Sequence, residues 1–274
     1  MCVATQEIIR SARPRTAMST TTASNTPTIR LRRSDERGFE DFGWADNWMT
    51  FSFADYHDPE WVHFGPLRVM VENHIQPHEG FGAHPHRDAE ILTYVSSGTL
   101  THGDDQGHTA EVNAGEMQLI SAGSRGMIHS EENLHDTVEH NYQMWFVPDR
   151  AGTDFYYGQK KYTPAERQGQ FRCYVSPDGR EGTMPINTDA FVYAGLFAPG
   201  DTATHPLDAG RGAWVQVVEG ELTIETSPDT LNTLTLHSGD GVGLTHIDAL
   251  NLAATADSEV LLFDVRMDVP RLWT

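Results

Sequence analysis

The chain has 274 residues, with 39 acidic side chains against 19 basic ones and a formal net charge of −20. That length accommodates one or two domains with their own cores, and so acidic a surface repels phosphate backbones, which argues against direct nucleic-acid binding. No run of about 18 apolar residues suggests a membrane span, and Cys2 and Cys173 alone make no disulfide framework, so a reducing cytoplasm is the expected setting.

Residues 1–27 are rich in Ser, Thr and Ala with scattered arginines, and they lack the continuous apolar stretch of a secretory signal. They are expected to form a disordered extension, with Met18 as an alternative start and a transit peptide as the lesser reading. From residue 28 onward the apolar stretches are short, β-branched and separated by Gly, Asn, Asp or Pro. In chain order they are LRVMVEN (67–73), EILTYV (90–95), EMQLIS (116–121), YQMWFV (142–147), FVYAGLFA (191–198), AWVQVVEGELTIET (213–226) and EVLLFDV (259–265). Strands at this spacing, with few helical-period segments, predict an all-β sandwich or barrel. The more polar stretch 149–189 reads as a connector between two units.

An internal echo points to two copies of one architecture. YVSSGTL around Gly98 resembles VVEGELTI around Gly220, and each is followed by a second turn glycine, Gly115 or Gly239, 17 or 19 residues on. His84 lies 14 residues before Gly98, and His205 lies 15 before Gly220. Two tandem small β-barrels are the expected result: residues 28–150, then 151–274, the latter including the connector 151–189.

Eight of the 14 histidines fall between residues 78 and 140. His84 and His86 share a face if their segment is extended, and His129 and Glu131 repeat that spacing. Two strands, each offering two ligands on one face, would surround a single ion inside a barrel. Three imidazoles and a carboxylate suit Fe(II), Mn(II), Ni(II) or Zn(II) better than calcium or magnesium. His102 and His108, flanking the turn GDDQG, are expected to be solvated loop residues. His78, His135 and His140 read as mobile-loop residues, with a place lining the pocket mouth as the lesser reading, and Gln143 as an inward-facing substrate contact or a plain strand residue. In the second unit only His205 remains at the first-motif position, Leu207 stands two residues on, and His246 is isolated, so no second-barrel metal is expected. SGDGVGL (238–244) lacks the Gly-Lys-Ser/Thr ending of a phosphate loop.

HPHRDAE, the glycines at 98 and 115, and HSEEN resemble the two cupin motifs. With GWADNWMTFSFADY (43–56), GFGAHPHRDAEILTYVSSG (80–98) and YQMWFVP (142–148), the chain resembles the pirin family over roughly residues 28–270. The resemblance implies a bicupin fold with the metal in the N-terminal barrel, held by His84, His86, His129 and Glu131. General cupins would use Glu90 instead, which the pirin pattern relegates to a supporting position. Ser121 stands where many cupins have proline, and five residues rather than two separate Gly123 from His129.

The implied cofactor is one divalent transition-metal ion, foremost Fe(II), with Zn, Mn, Ni or Cu as alternatives. The implied activity is that of a quercetin 2,3-dioxygenase. A flavonol would bind through its 3-hydroxyl oxygen, Glu131 would serve as base, and dioxygen would cleave the ring with loss of carbon monoxide. Two other readings stand beside it: a non-catalytic, iron-bearing redox sensor that regulates protein partners, and, further off, a metal-dependent isomerase-like cupin. A monomer is expected.

Overall fold

A computed structural model describes residues 27–225 and 233–268. The expected N-terminal extension lies outside the described residues except for Pro27, as does Cys2. The first strands are β1 (Thr28–Arg32), β2 (Gly38–Asp41), β3 (Ala45–Met49), β4 (Leu67–Ile75), β5 (Gly80–His86) and β6 (Glu90–Ser97). Then come β7 (Thr99–Asp104), β8 (Thr109–Asn113), β9 (Glu116–Ser121), β10 (Met127–Glu132), β11 (Glu139–Phe146) and β12 (Tyr156–Lys161). One helical turn, α1 (Pro164–Arg167), precedes β13 (Gln170–Ser176), β14 (Met184–Pro185), β15 (Ala190–Phe197), β16 (Thr202–Pro206) and β17 (Arg211–Glu219). The last strands are β18 (Glu221–Glu225), β19 (Thr233–His237), β20 (Gly241–Thr245), β21 (Ala249–Ala254) and β22 (Ser258–Arg266).

Each half pairs a seven-stranded sheet with a four-stranded one. In the first half the orders are β12-β9-β6-β11-β4-β3-β2 and β5-β10-β7-β8; in the second they are β1-β20-β17-β22-β15-β13-β14 and β16-β21-β18-β19. The chain is therefore all-β, as its turn-punctuated apolar stretches predict. The glycine echo has a structural basis. Gly98 turns β6 into β7 and Gly220 turns β17 into β18, and both have positive φ, 76° and 94°, that L-residues with a Cβ resist.

Two strands cross the expected division of the chain. β12, drawn from the connector, pairs with β9 in the first barrel, and β1 pairs with β20 in the second. The connector is thus structured throughout β12, α1, β13 and β14. The two large sheets pack back to back over a shared core that includes Met70, Tyr94, Tyr142 and Met144 from one and Tyr174, Trp214, Leu261 and Phe263 from the other. Arg167 stitches the barrels, donating to Tyr94 Oη and, at 2.8 Å, to Glu259 Oε1.

Candidate metal centre

On β5 the two-residue period places His84 and His86 on one face. On β10 the burial alternates, so Met127, His129 and Glu131 turn inward while Ile128 faces out. Antiparallel pairing sets His129 opposite His84, and a bulge between His129 and Glu131 re-aims the carboxylate. The three imidazoles converge, with ring centroids 4.9 Å (His84–His86), 4.4 Å (His84–His129) and 4.8 Å (His86–His129) apart. A nitrogen of each lies within 4.8 Å of the others. Glu131 Oε2 sits 3.9 Å from His129 Nε2.

His86 Nε2 and both ring nitrogens of His129 are buried with no hydrogen-bond partner. Unmet polar atoms of this kind cost free energy unless something outside the protein meets them, and converging imidazole lone pairs beside a carboxylate are a donor set that fits a divalent transition ion. His84 Nδ1 is fixed by the Gly82 carbonyl at 2.8 Å, which orients the ring. Burial, then the neighbouring His129 and His84, push the His86 pKa down to about 4, so its ring is neutral at physiological pH. Burial likewise lowers His129. Burial alone would raise the Glu131 carboxyl, but the His129 and His84 rings and the Gln143 amide outweigh it and hold it below the usual range.

Glu131 is held on both oxygens. Thr93 Oγ1 donates to Oε1 at 3.1 Å, and Gln143 Nε2 donates to Oε2 at 2.5 Å. Gln143 Oε1 in turn accepts from Trp145 Nε1 at 3.0 Å, and Trp145 packs edge-on against His86 with ring centroids 4.7 Å apart. Gln143 therefore faces inward, its amide already engaged by Glu131.

Glu90 lies elsewhere. It is fully buried, accepts from Ser121 Oγ at 2.6 Å, and takes the Asn187 side-chain N–H at 3.1 Å. Ser121, in the place of the cupin proline, and Glu90 are register partners on β9 and β6. The two departures from the general motif form one buried contact reaching the second half of the chain.

His102 is no solvated loop residue. It lies on β7, fully buried, with Nε2 3.1 Å from Asp104 Oδ2 and its ring centroid 5.5 Å from that of His129. The alternation Leu100, His102, Asp104 in TLTHGD carried that signal, but the adjoining GDDQG turn masked it. His108 is half-exposed, stacks on Tyr157 and also pairs with Asp104. His140 is not in a loop either: it is on β11, facing away from Gln143. His78, at 64% side-chain exposure, and His135, at 41%, do lie in a turn and a loop.

Two β-barrels in tandem, the first with an inward imidazole cluster, define a bicupin. The Pirin family profile matches residues 30–146, and the profile of the quercetinase C-terminal cupin domain matches residues 173–265. The chain belongs to the pirin family. It is 40% identical to a quercetin 2,3-dioxygenase of Escherichia coli K12 over 86% of its own length and 98% of that protein's. A pirin-like protein of Caulobacter vibrioides is 34% identical over 84% and 96%. The crystal structure of bacterial pirin YhhW from Escherichia coli in complex with nickel(II) superposes with a TM-score of 0.80 at 38% identity, covering 87% of this chain and 99% of that one.

Proposed function

We propose that the chain is a metal-dependent dioxygenase that opens flavonols such as quercetin, with one divalent ion held by His84, His86, His129 and Glu131. It is quercetin 2,3-dioxygenase-like along nearly the whole length of its Escherichia coli relative. The observation that carries the reading is the trio of converging imidazoles with unpartnered ring nitrogens, set beside a carboxylate that two side chains already hold in place.

An ion bound there supplies Lewis acidity and, if redox-active as Fe(II) is, a meeting point for dioxygen and an electron-rich substrate. The remaining work falls to the chain. His86 and His129, whose pKa values burial lowers, present neutral rings at physiological pH. Glu131, ionised and oriented by Thr93 and Gln143, accepts the proton of the flavonol hydroxyl on a carboxylate oxygen. Gln143, expected as a substrate contact, enters the proposal chiefly as the residue that holds Glu131. A cleft of about 380 Å³ opens beside His86, lined by Arg87, Arg125 and Ile128 among others. Arg87 and Arg125 there offer donors to phenolic oxygens.

The test is to load metal-free protein anaerobically with Fe(II), add quercetin and dioxygen, and follow loss of the flavonol absorbance. Turnover well above a buffer-plus-iron control is expected, lost in His84→Ala and Glu131→Ala. Rates equal to that control, or unaffected by either substitution, would sink the proposal. Capture of a protein partner that tracks iron oxidation, without turnover, would replace it with the redox-sensor reading.

A further inference from the structure

A second cluster of metal-seeking side chains lies on the opposite face of the same sheet. β11 pairs with β4 so that His140 stands directly opposite His74, and Glu72 lies two residues from His74 on the same face. Alternation turns these three away from the barrel interior, where Gln143 meets Glu131, so the sheet itself separates the two clusters. One ligand atom from each of Glu72, His74 and His140 lies within 4.8 Å of the others.

The hydrogen bonds here leave one ring nitrogen of the cluster, His74 Nε2, unmet. Ser96 Oγ can donate its one proton to the His140 carbonyl, 3.3 Å away, and accept from His140 Nδ1–H at 2.7 Å. His140 Nε2 meets Glu72 Oε1 at 2.9 Å, as an N–H donor in one tautomer and, in the tautomer protonated on Nδ1, as a lone pair that needs positive charge between the two atoms. His74 Nε2 points at the same oxygen from 3.6 Å, beyond hydrogen-bond distance, and is buried with no partner. A single proton on His140 would relieve its contact but leave His74 unmet. A divalent cation meets all three atoms. The 2.9 and 3.6 Å separations straddle the roughly 3.3 Å between neighbouring ligands of a tetrahedral ion with bonds of about 2.0–2.1 Å.

The ligands are also held in place by residues that would not bind the ion. Arg37 Nη1 donates to Glu72 Oε2 at 2.7 Å, leaving Oε1 free; Ser96 fixes the His140 ring; and Trp48 packs edge-on against His74 with ring centroids 5.0 Å apart. His74, at 36% side-chain exposure, opens the cluster to solvent and gives an ion a path in and a water ligand. We propose that Glu72, His74 and His140 form a second divalent-cation site, of the imidazole-seeking class that includes Zn(II) and Co(II), on the outer wall of the first barrel.

The experiment counts ions. Metal-free full-length protein, dialysed against Zn(II), is expected to hold two ions per chain by elemental analysis. His74→Ala should hold one, with its metal-free melting temperature unchanged and quercetin turnover by the Fe(II)-loaded form intact. The double variant His84→Ala/His129→Ala should also hold one, and Co(II) added to it should give the visible absorption of a tetrahedral nitrogen–oxygen site. That last measurement stands even if His74→Ala fails to fold. One ion per chain in both wild type and His74→Ala, or no cobalt absorption in the double variant, overturns the proposal.

Discussion

The two barrels share a strand plan and have opposite interiors. In the first, β5 and β10 set His84 against His129; in the second, β16 and β21 set His205 against Leu250. The counterparts of His86 and Glu131 are Leu207 and Leu252, both buried. Around them Val215, Val217, Leu222, Ile224, Leu236 and Leu262 fill the space with hydrocarbon. His205 instead donates its interaction to Asp264, with Nε2 2.9 Å from Oδ2, beside Arg211. The difference teaches that the barrel as such implies no chemistry. A two-sheet shell this size either encloses polar groups that need a ligand or packs itself shut, and a few inward positions decide which.

Exchange between the barrels tests that statement, and the ligand positions should show the largest effect. His129→Ala is expected to cut metal content and flavonol turnover by more than about a hundredfold. His205→Ala and Glu90→Gln should leave the ion count as it is. Loss of the ion from either of the latter would break the comparison. The next effect is on stability. Leu252→Ala removes packing from a closed interior and should cost about 2–5 kcal/mol in equilibrium denaturation. Leu252→Glu, which installs the first barrel's residue without its partners, should cost more because the carboxyl would be buried alone. Equal midpoints for wild type and Leu252→Glu would mean that the second interior is not sealed.

A third effect is a pH dependence at one buried carboxyl of the first barrel. Glu139 packs against the Gly98 turn where the second barrel has Ser258 against Gly220. Burial pushes the Glu139 carboxyl up to about 8, and its Oε1 has no partner, as suits a protonated acid. Unfolded, it ionises near the ordinary carboxylate value of about 4.3. The unfolded state therefore releases this proton first. The stabilisation is whole below about pH 4, is lost as pH rises toward 8, and changes no further above that. Denaturation midpoints of wild type and Glu139→Gln should accordingly draw apart between pH 5 and pH 8, wild type falling relative to the variant; parallel curves would place the ionised form in the folded protein.

Much of this was legible in the sequence because it is local. Gly98 and Gly220 punctuate strands whose alternation can be read directly, and His84/His86 and His129/Glu131 each reveal a shared face by spacing alone. What escaped depends on which strand lies beside which. His74 and His140 become neighbours only through the β4–β11 register, and Glu90 finds Asn187, 97 positions away, only once the barrels pack. His102 shares its face with buried Leu100 two residues earlier, but the turn composition of GDDQG that follows obscures that alternation.

The exchange of edge strands also bears on how the chain is made. Thr28–Arg32 pairs with Gly241–Thr245, and Arg33 reaches Asp240, 207 positions later. At synthesis rates of about 5–20 residues per second, that separation takes roughly ten to forty seconds to emerge. β1, the first strand among the described residues, therefore waits for its partner while the first barrel is made, and it docks only once β20 has left the ribosome. The barrels are consecutive in sequence but not independent in assembly: a cut between them would leave β20 with an open edge, and the second barrel is finished by the first strand among the described residues.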